Sequence, residues 1–153
     1  MSAQEEKAPR IVVGVDGSSS SDAALRWAVQ HAELTGASVD AVIVWEYPTA
    51  LGGYGMAPVP MYDDSDFPAV AEKTVTEAIS TVVDPASHVR VRAQVVEGSA
   101  ALALLKAAGG ADLLVVGSRG HGGFAGALLG SVSQHCVHHA RCPVVVIRGH
   151  HEG

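Results

Sequence analysis

The chain alternates between short apolar runs and longer stretches in which apolar residues recur every three or four positions. The first run, "RIVVGVD" at 10–16, is rich in β-branched residues and leads into Gly17, as a buried strand does when it meets a turn. In "GSSSSDAALRWAVQHAEL", Ala24, Leu25, Ala28, Val29 and Ala32 repeat at helical spacing. Ser20, Ser21 or Asp22 is placed to cap this helix, and Thr35-Gly36 to stop it. "SVDAVIVWEY" at 38–47 gives a second strand. From about Pro68, Val70, Ala71, Val75, Ala78, Ile79, Val82 and Val83 set out a second helix that ends at Asp84-Pro85. "HVRVRAQVVEG" alternates with period two, which predicts a half-exposed strand at a sheet edge. "SAALALLKAAGGA" is a third helix, capped by Ser99 and stopped by Gly109-Gly110. "DLLVVG" at 112–117 is an apolar run that predicts a strand buried on both faces. A helix from about Leu128 to Ala140 and the strand "PVVVIR" at 143–148 close the pattern.

Strand and helix thus alternate throughout. That order predicts an α/β domain with a parallel sheet and helices on both faces, because each crossover is right-handed. Open sheets of this kind take ligands outside the carboxyl ends of their strands, where the strand order reverses. The loops after Asp16 and after Gly117 are therefore the first places to look for function. With 153 residues the chain fits one domain, expected over 10–149, with flexible ends at 1–9 and 150–153. The segment 46–67, full of Pro, Gly, Tyr and acid, has no period of its own and is expected to be a mobile loop.

Composition narrows the function classes. A net charge of −6 argues against general nucleic-acid binding. No apolar run has the length to cross a membrane, the polar start carries no signal core, and two cysteines make no disulfide framework. A cytoplasmic protein with reduced thiols is the expectation. The charge is uneven: no Asp or Glu stands between Asp112 and Glu152, a span that holds Arg119, Arg141 and Arg148. An anion is most welcome in that third of the chain.

The segment after the fourth strand, "GSRGHGGFAGALLGS", tests several phosphate motifs. A P-loop needs Gly-Lys followed by Ser or Thr, and no lysine here follows a glycine. The G-x-S-x-G elbow of serine hydrolases is absent. "GHGGFA" matches G-x-G-x-x-[GA], but no acidic residue stands about 20 positions on to hold a dinucleotide's ribose. A longer spacing fits better: Gly117-x2-Gly120-x9-Gly130-Ser131. It places Gly130 and Ser131 where the last helix begins, so that free backbone N–H groups and the positive helix end form an anion site. Ser131 is placed to cap that helix or to bond a phosphate oxygen.

That spacing, after a buried strand, resembles the ATP-binding motif of the universal stress protein family. The likeness extends from "IVVGVDGS" through "GADLLVVGSRG" and "LLGSVSQH" to "CPVVVIR". It implies a five-stranded parallel sheet of order 3-2-1-4-5, Rossmann-like and similar to the adenine nucleotide alpha hydrolases. It implies that Asp16, with Gly14 and Val15, meets the ribose, and that main-chain groups of Val44 or Trp45 read the adenine edge. Val116 and Gly117 then lie by the ribose, and Arg119, Gly120, Gly130, Ser131 and Val132 by the phosphates. ATP is the implied ligand, with or without Mg²⁺, in a cytoplasmic stress-response protein that forms a homodimer through strand 143–148. Two alternatives stay open: a sensor of AMP or cyclic AMP, and a dimeric interaction module that binds no nucleotide. No catalytic set is legible, so the protein is expected not to be an enzyme.

Two smaller patterns complete the reading. In "HCVHHARC", His135 and His139 fall within roughly 40° of each other around a helix. Cys136 points away, toward Leu129, Val132, Val137 and Ala140, so an exposed histidine face and a buried thiol are expected rather than a metal centre. Asp63, Asp64 and Asp66 are expected to solvate the long loop rather than hold Mg²⁺.

Overall fold

The computed structural model describes residues 8–46, 66–119 and 130–148. The expected tail 1–9 (apart from Ala8 and Pro9), loop 46–67 (apart from its first and last residues) and tail 150–153 lie outside the described residues, as does Gly120. Five strands, β1 (Arg10–Gly14), β2 (Ser38–Trp45), β3 (Val91–Glu97), β4 (Leu113–Gly117) and β5 (Val144–Ile147), alternate with four helices. These are α1 (Ser19–Thr35), α2 (Asp66–Val82), α3 (Ala100–Ala107) and α4 (Ser131–His139). The strands form one parallel sheet of order β3-β2-β1-β4-β5, as expected.

Side-chain alternation along each strand divides the core into two layers. Ile11, Val13, Val39, Ala41, Ile43 and Val115 point toward α1 and α2 and meet Leu25, Ala28, Val29 and Val75. Val12, Val42, Leu114 and Val116 point to the other face and meet Leu104 of α3 and Cys136 of α4. Each fully buried Val, Ile or Leu contributes roughly 1.5–3 kcal/mol relative to exposure. β4 is buried on both faces because the sheet has a neighbour strand on each side of it and helices above and below.

Helix starts differ from the sequence reading in three places. Ser18, not Ser20, Ser21 or Asp22, caps α1: its backbone is extended and its hydroxyl accepts from Ser21 N–H at 3.1 Å. Four consecutive serines look equivalent in sequence, and only the backbone turn chooses among them. α2 begins at Asp66, ahead of Pro68, because a proline in the first turn lacks an N–H that would be unpaired anyway. α4 begins at Ser131 rather than near Leu128, since Gly130 is extended (φ −73°, ψ 168°) and acts as the cap. The far end of α1 follows the reading: Gly36 takes φ +78°, the left-handed turn that glycine tolerates, and its N–H donates to Ala32 O.

Candidate functional site

The two halves of the sheet wind in opposite senses from the seam between β1 and β4. Both strands point their carboxyl ends to the same edge, and α1 and α4 begin there. Val15 N–H still bonds Val42 O at 2.8 Å, the last rung between β1 and β2. Asp16 then leaves the sheet. Its Oδ1 accepts from Ser18 N–H at 2.9 Å and from Ser18 Oγ–H at 2.6 Å, and its own N–H donates to Ser21 Oγ at 3.1 Å. The carboxylate is thereby fixed in direction, half-buried, at the start of α1.

β4 meets this turn through Gly117. A Cβ there would lie 2.8 Å from the Ser20 carbonyl and run into the Ser20 hydroxyl. Glycine is required at 117 because α1 presses on it, a packing reason that the sequence reading had not given. Ser20 Oγ also accepts from Arg119 N–H at 3.3 Å, so one buried serine ties the first helix to the fourth strand's exit. Gly14 makes similar room on the other face, for Leu104 of α3.

Ser118 and Gly130 bracket the glycine-rich segment, and the fold holds them together. Gly130 N–H donates to Ser118 O at 2.6 Å. The Ser133 hydroxyl, buried, lies 3.2 Å from Ser118 O and 3.0 Å from Gly130 O. Gly130 N–H is thus engaged with the protein, which differs from its implied role as a phosphate donor. The first intrahelical bond of α4 runs from Gln134 N–H to Gly130 O. Ser131, Val132 and Ser133 therefore have N–H groups with no acceptor inside the helix, at its positive end. The Ser131 hydroxyl is exposed and Val132 half-buried at that same end, while Arg119 is exposed where the chain leaves β4. Ser131 is the first helical residue rather than the cap.

The end of β2 decides between Val44 and Trp45. Val39 N–H bonds Arg90 O and Gly98 N–H bonds Trp45 O, so odd-numbered positions of β2 bond toward β3. Ser38 N–H bonds Pro9 O and Val42 O accepts from Val15, so even-numbered positions bond toward β1. Val44 therefore directs its main-chain groups toward the seam, one step beyond the last rung with β1. Trp45 contributes its ring, whose plane is parallel to that of Phe67 (7°) with centroids 6.3 Å apart. Phe67, in the first turn of α2, was not singled out in the sequence. Its distance of 22 positions from Trp45 gave no signal, and only the packing of α2 on β2 brings them together. Val15 and Val116 are buried in the two core layers, so only their main chain faces the edge.

Asp22, in the first turn of the same α1, has its Oδ1 buried with no hydrogen-bond partner among the described residues. Burial pushes its carboxyl above the ordinary value, Arg26 opposes this, and Asp16 adds to it. The edge as a whole offers one oriented carboxylate, a helix N-terminus and an aromatic pair. Ribose hydroxyls, phosphates and a purine fit these groups in turn. Another depression, of about 430 Å³ and lined by Glu33, Gly36, Ser87 and His88, lies at the opposite, amino-terminal edge.

Cys136 is fully buried, as its spacing implied. Val132 and Ala140 pack with it as expected and buried Ser133 joins them, but Val137 is 45% exposed, because α4 turns Val137 away from the sheet, and Leu129 lies outside the described residues. Among the described residues no group of three or more His, Cys, Asp or Glu is placed to hold a metal ion. No described helix is long and apolar enough to cross a membrane.

An open, doubly wound α/β domain with a crevice at the reversal of strand order is the class that this geometry defines. Residues 8–148 match the universal stress protein family, and the chain belongs to it. A universal stress protein of Mycobacterium tuberculosis is 36% identical over 146 residues, covering 94% of this chain and 46% of the relative. The chain spans about half the length of the curated relatives it matches. Among solved structures, the universal stress protein UspA of Lactobacillus plantarum superposes with a TM-score of 0.74 at 23% identity, covering 93% of this chain and 99% of that one. A universal stress protein in complex with cAMP superposes with a TM-score of 0.60 at 25% identity, over 94% and 98% of the two chains.

Proposed function

We propose that this chain is an adenine-nucleotide-binding universal stress protein that holds ATP across the β1–β4 seam and signals by holding it, without a catalytic role. The observation that carries the reading is the pairing, at one sheet edge, of an Asp16 carboxylate fixed by Ser18 with the N–H groups that begin α4 and have no acceptor within that helix. Asp16 accepts from ribose hydroxyls. Ser131 and Val132 N–H, the Ser131 hydroxyl and Arg119 meet the phosphates, each charge-assisted bond contributing about 1.5–3 kcal/mol. Val44 main chain reads the adenine edge. Mg²⁺ enters with the triphosphate, held by phosphate oxygens and retained water. The protein works in the cytoplasm as a homodimer joined through 143–148.

Cyclic AMP is the second reading, favoured by the similar structure that holds it. Nucleotide extracted from the purified protein, followed by calorimetry with ATP, AMP and cyclic AMP, separates the two. ATP is expected in the extract and in the titration. Tight cyclic AMP binding without an ATP response overturns ATP as the ligand. No heat with any nucleotide leaves the dimeric interaction module. Ser131→Pro removes the first N–H and the hydroxyl at a position where proline suits a helix. It is expected to weaken ATP at least about tenfold with an unchanged melting curve, as loss of one charge-assisted bond requires.

A further inference from the structure

α4 carries three histidines outside the crevice, His135, His138 and His139. All three are exposed. The rings of His135 and His139, one turn apart, stand with centroids 4.5 Å from each other and planes tilted by 37°. His138 meets His139 only edge-on, at 6.4 Å. Neither His135 nor His139 makes a hydrogen bond or ion pair with any other described residue, so both rings are available. An acid is the usual competitor for such a pair, and the sequence has none between Asp112 and Glu152.

We infer that His135 and His139 form a two-imidazole clip for a divalent first-row transition cation, with water at its remaining positions. Imidazole suits Zn²⁺, Cu²⁺ and Ni²⁺, and a nitrogen–metal distance of about 2.0–2.1 Å is reached by small rotations of two facing rings. The pair spans the second half of α4, where the negative end of the helix favours a cation. Cys136 lies between them in sequence but is turned roughly 100° from His135 and fully buried in the core beneath α4, so it is not a third ligand. This site is separate from the nucleotide crevice: α4 receives anions at its first turn and the cation at its last.

Bound metal staples one helical turn to the next in the folded chain only. Metal therefore raises the melting temperature. The test is calorimetric titration of the untagged chain with zinc chloride and nickel chloride, beside thermal melts with and without each metal. Loss of either imidazole, in His135→Gln or His139→Gln, is expected to weaken binding by at least about tenfold and abolish the melting shift, as loss of a metal-site group does. His138→Gln is expected to keep both. The variants leave His150 and His151 intact, so binding by those residues survives as a separate signal. Metal affinity and melting shift unchanged in His135→Gln, or equal losses in His138→Gln and His135→Gln, overturn the clip. Unchanged far-ultraviolet dichroism in the metal-free variants confirms that α4 persists.

Discussion

At Asp22 burial works against charge. Its folded carboxyl titrates above the ordinary 3.8, chiefly through desolvation, with Arg26 lowering and Asp16 raising it. A raised folded value means that the contribution to stability is complete below 3.8 and is lost as pH rises through the folded value. Asp22→Asn is therefore expected to melt higher than the parent at neutral pH, with the gap closing as the solution is acidified; a lower melt at neutral pH contradicts this. Cys136 shows the same sign for a thiol. Burial, with a smaller effect of Cys142, pushes it from 9.0 up to about 11. The stability from its neutral form is complete below pH 9.0 and lost on approaching 11. In the native protein a disulfide reagent is expected to modify Cys142, half-buried, and to reach Cys136 only after denaturation. Gly117→Ala drives a methyl group against the Ser20 carbonyl. It is expected to cost about 1–3 kcal/mol in urea unfolding, as overpacking does.

Element ends carry the site, and they are what the sequence specifies least. Apolar spacing located every described strand and helix, since Leu25, Ala28 and Val29 or Val12 and Val13 have one burial pattern compatible with their period. The caps were less legible. Ser18, Ser20 and Ser21 offer the same hydroxyl, and the choice rests on backbone angles that no local rule fixes. The Ser118–Gly130–Ser133 knot joins residues up to 15 apart, and its acceptors are main-chain carbonyls, which carry no residue code. Phe67 was hidden for a related reason: an aromatic at a helix start reads as core. Two expected outcomes follow at this scale. Ser133→Ala loses one buried donor shared between two carbonyls and is expected to cost about 1–2 kcal/mol in denaturant unfolding. Phe67→Ala is expected to weaken adenine nucleotides several-fold while leaving inorganic phosphate affinity unchanged; equal weakening of both contradicts a stacking role.

Across the whole molecule, the amino-terminal edge is tied by charge. Asp40, buried in β2, takes Arg10 Nη1 at 3.0 Å and Arg92 Nε at 3.2 Å. Arg10 also donates to the carbonyls of Ala107 and Gly109 at the end of α3. Three residues from three strands thus bind one helix to the sheet, at separations that a sequence pattern does not display. β3 and β5 are the two outer edges of the sheet. Ser118 N–H bonds Ile147 O and Leu114 N–H bonds Pro143 O, so positions 143, 145 and 147 face β4 while 144 and 146 face outward. Val146→Pro removes an outward N–H and spares the ladder with β4. Sedimentation is expected to show the parent as a dimer and this variant as a monomer of the same fold; a dimeric variant places the interface elsewhere.

The bond from Gly130 to the Ser118 carbonyl makes the chain between them a closed excursion. The fold begins and ends it at one fixed place, whatever lies between. Ring closure grows only with the logarithm of length: doubling such a segment adds about 0.6 kcal/mol. Two or three residues inserted between Ser118 and Gly130 are therefore expected to leave the melting curve of the domain close to the parent's. The frame that begins and ends the excursion, Ser118 with Gly130 and Ser133, stays as it is.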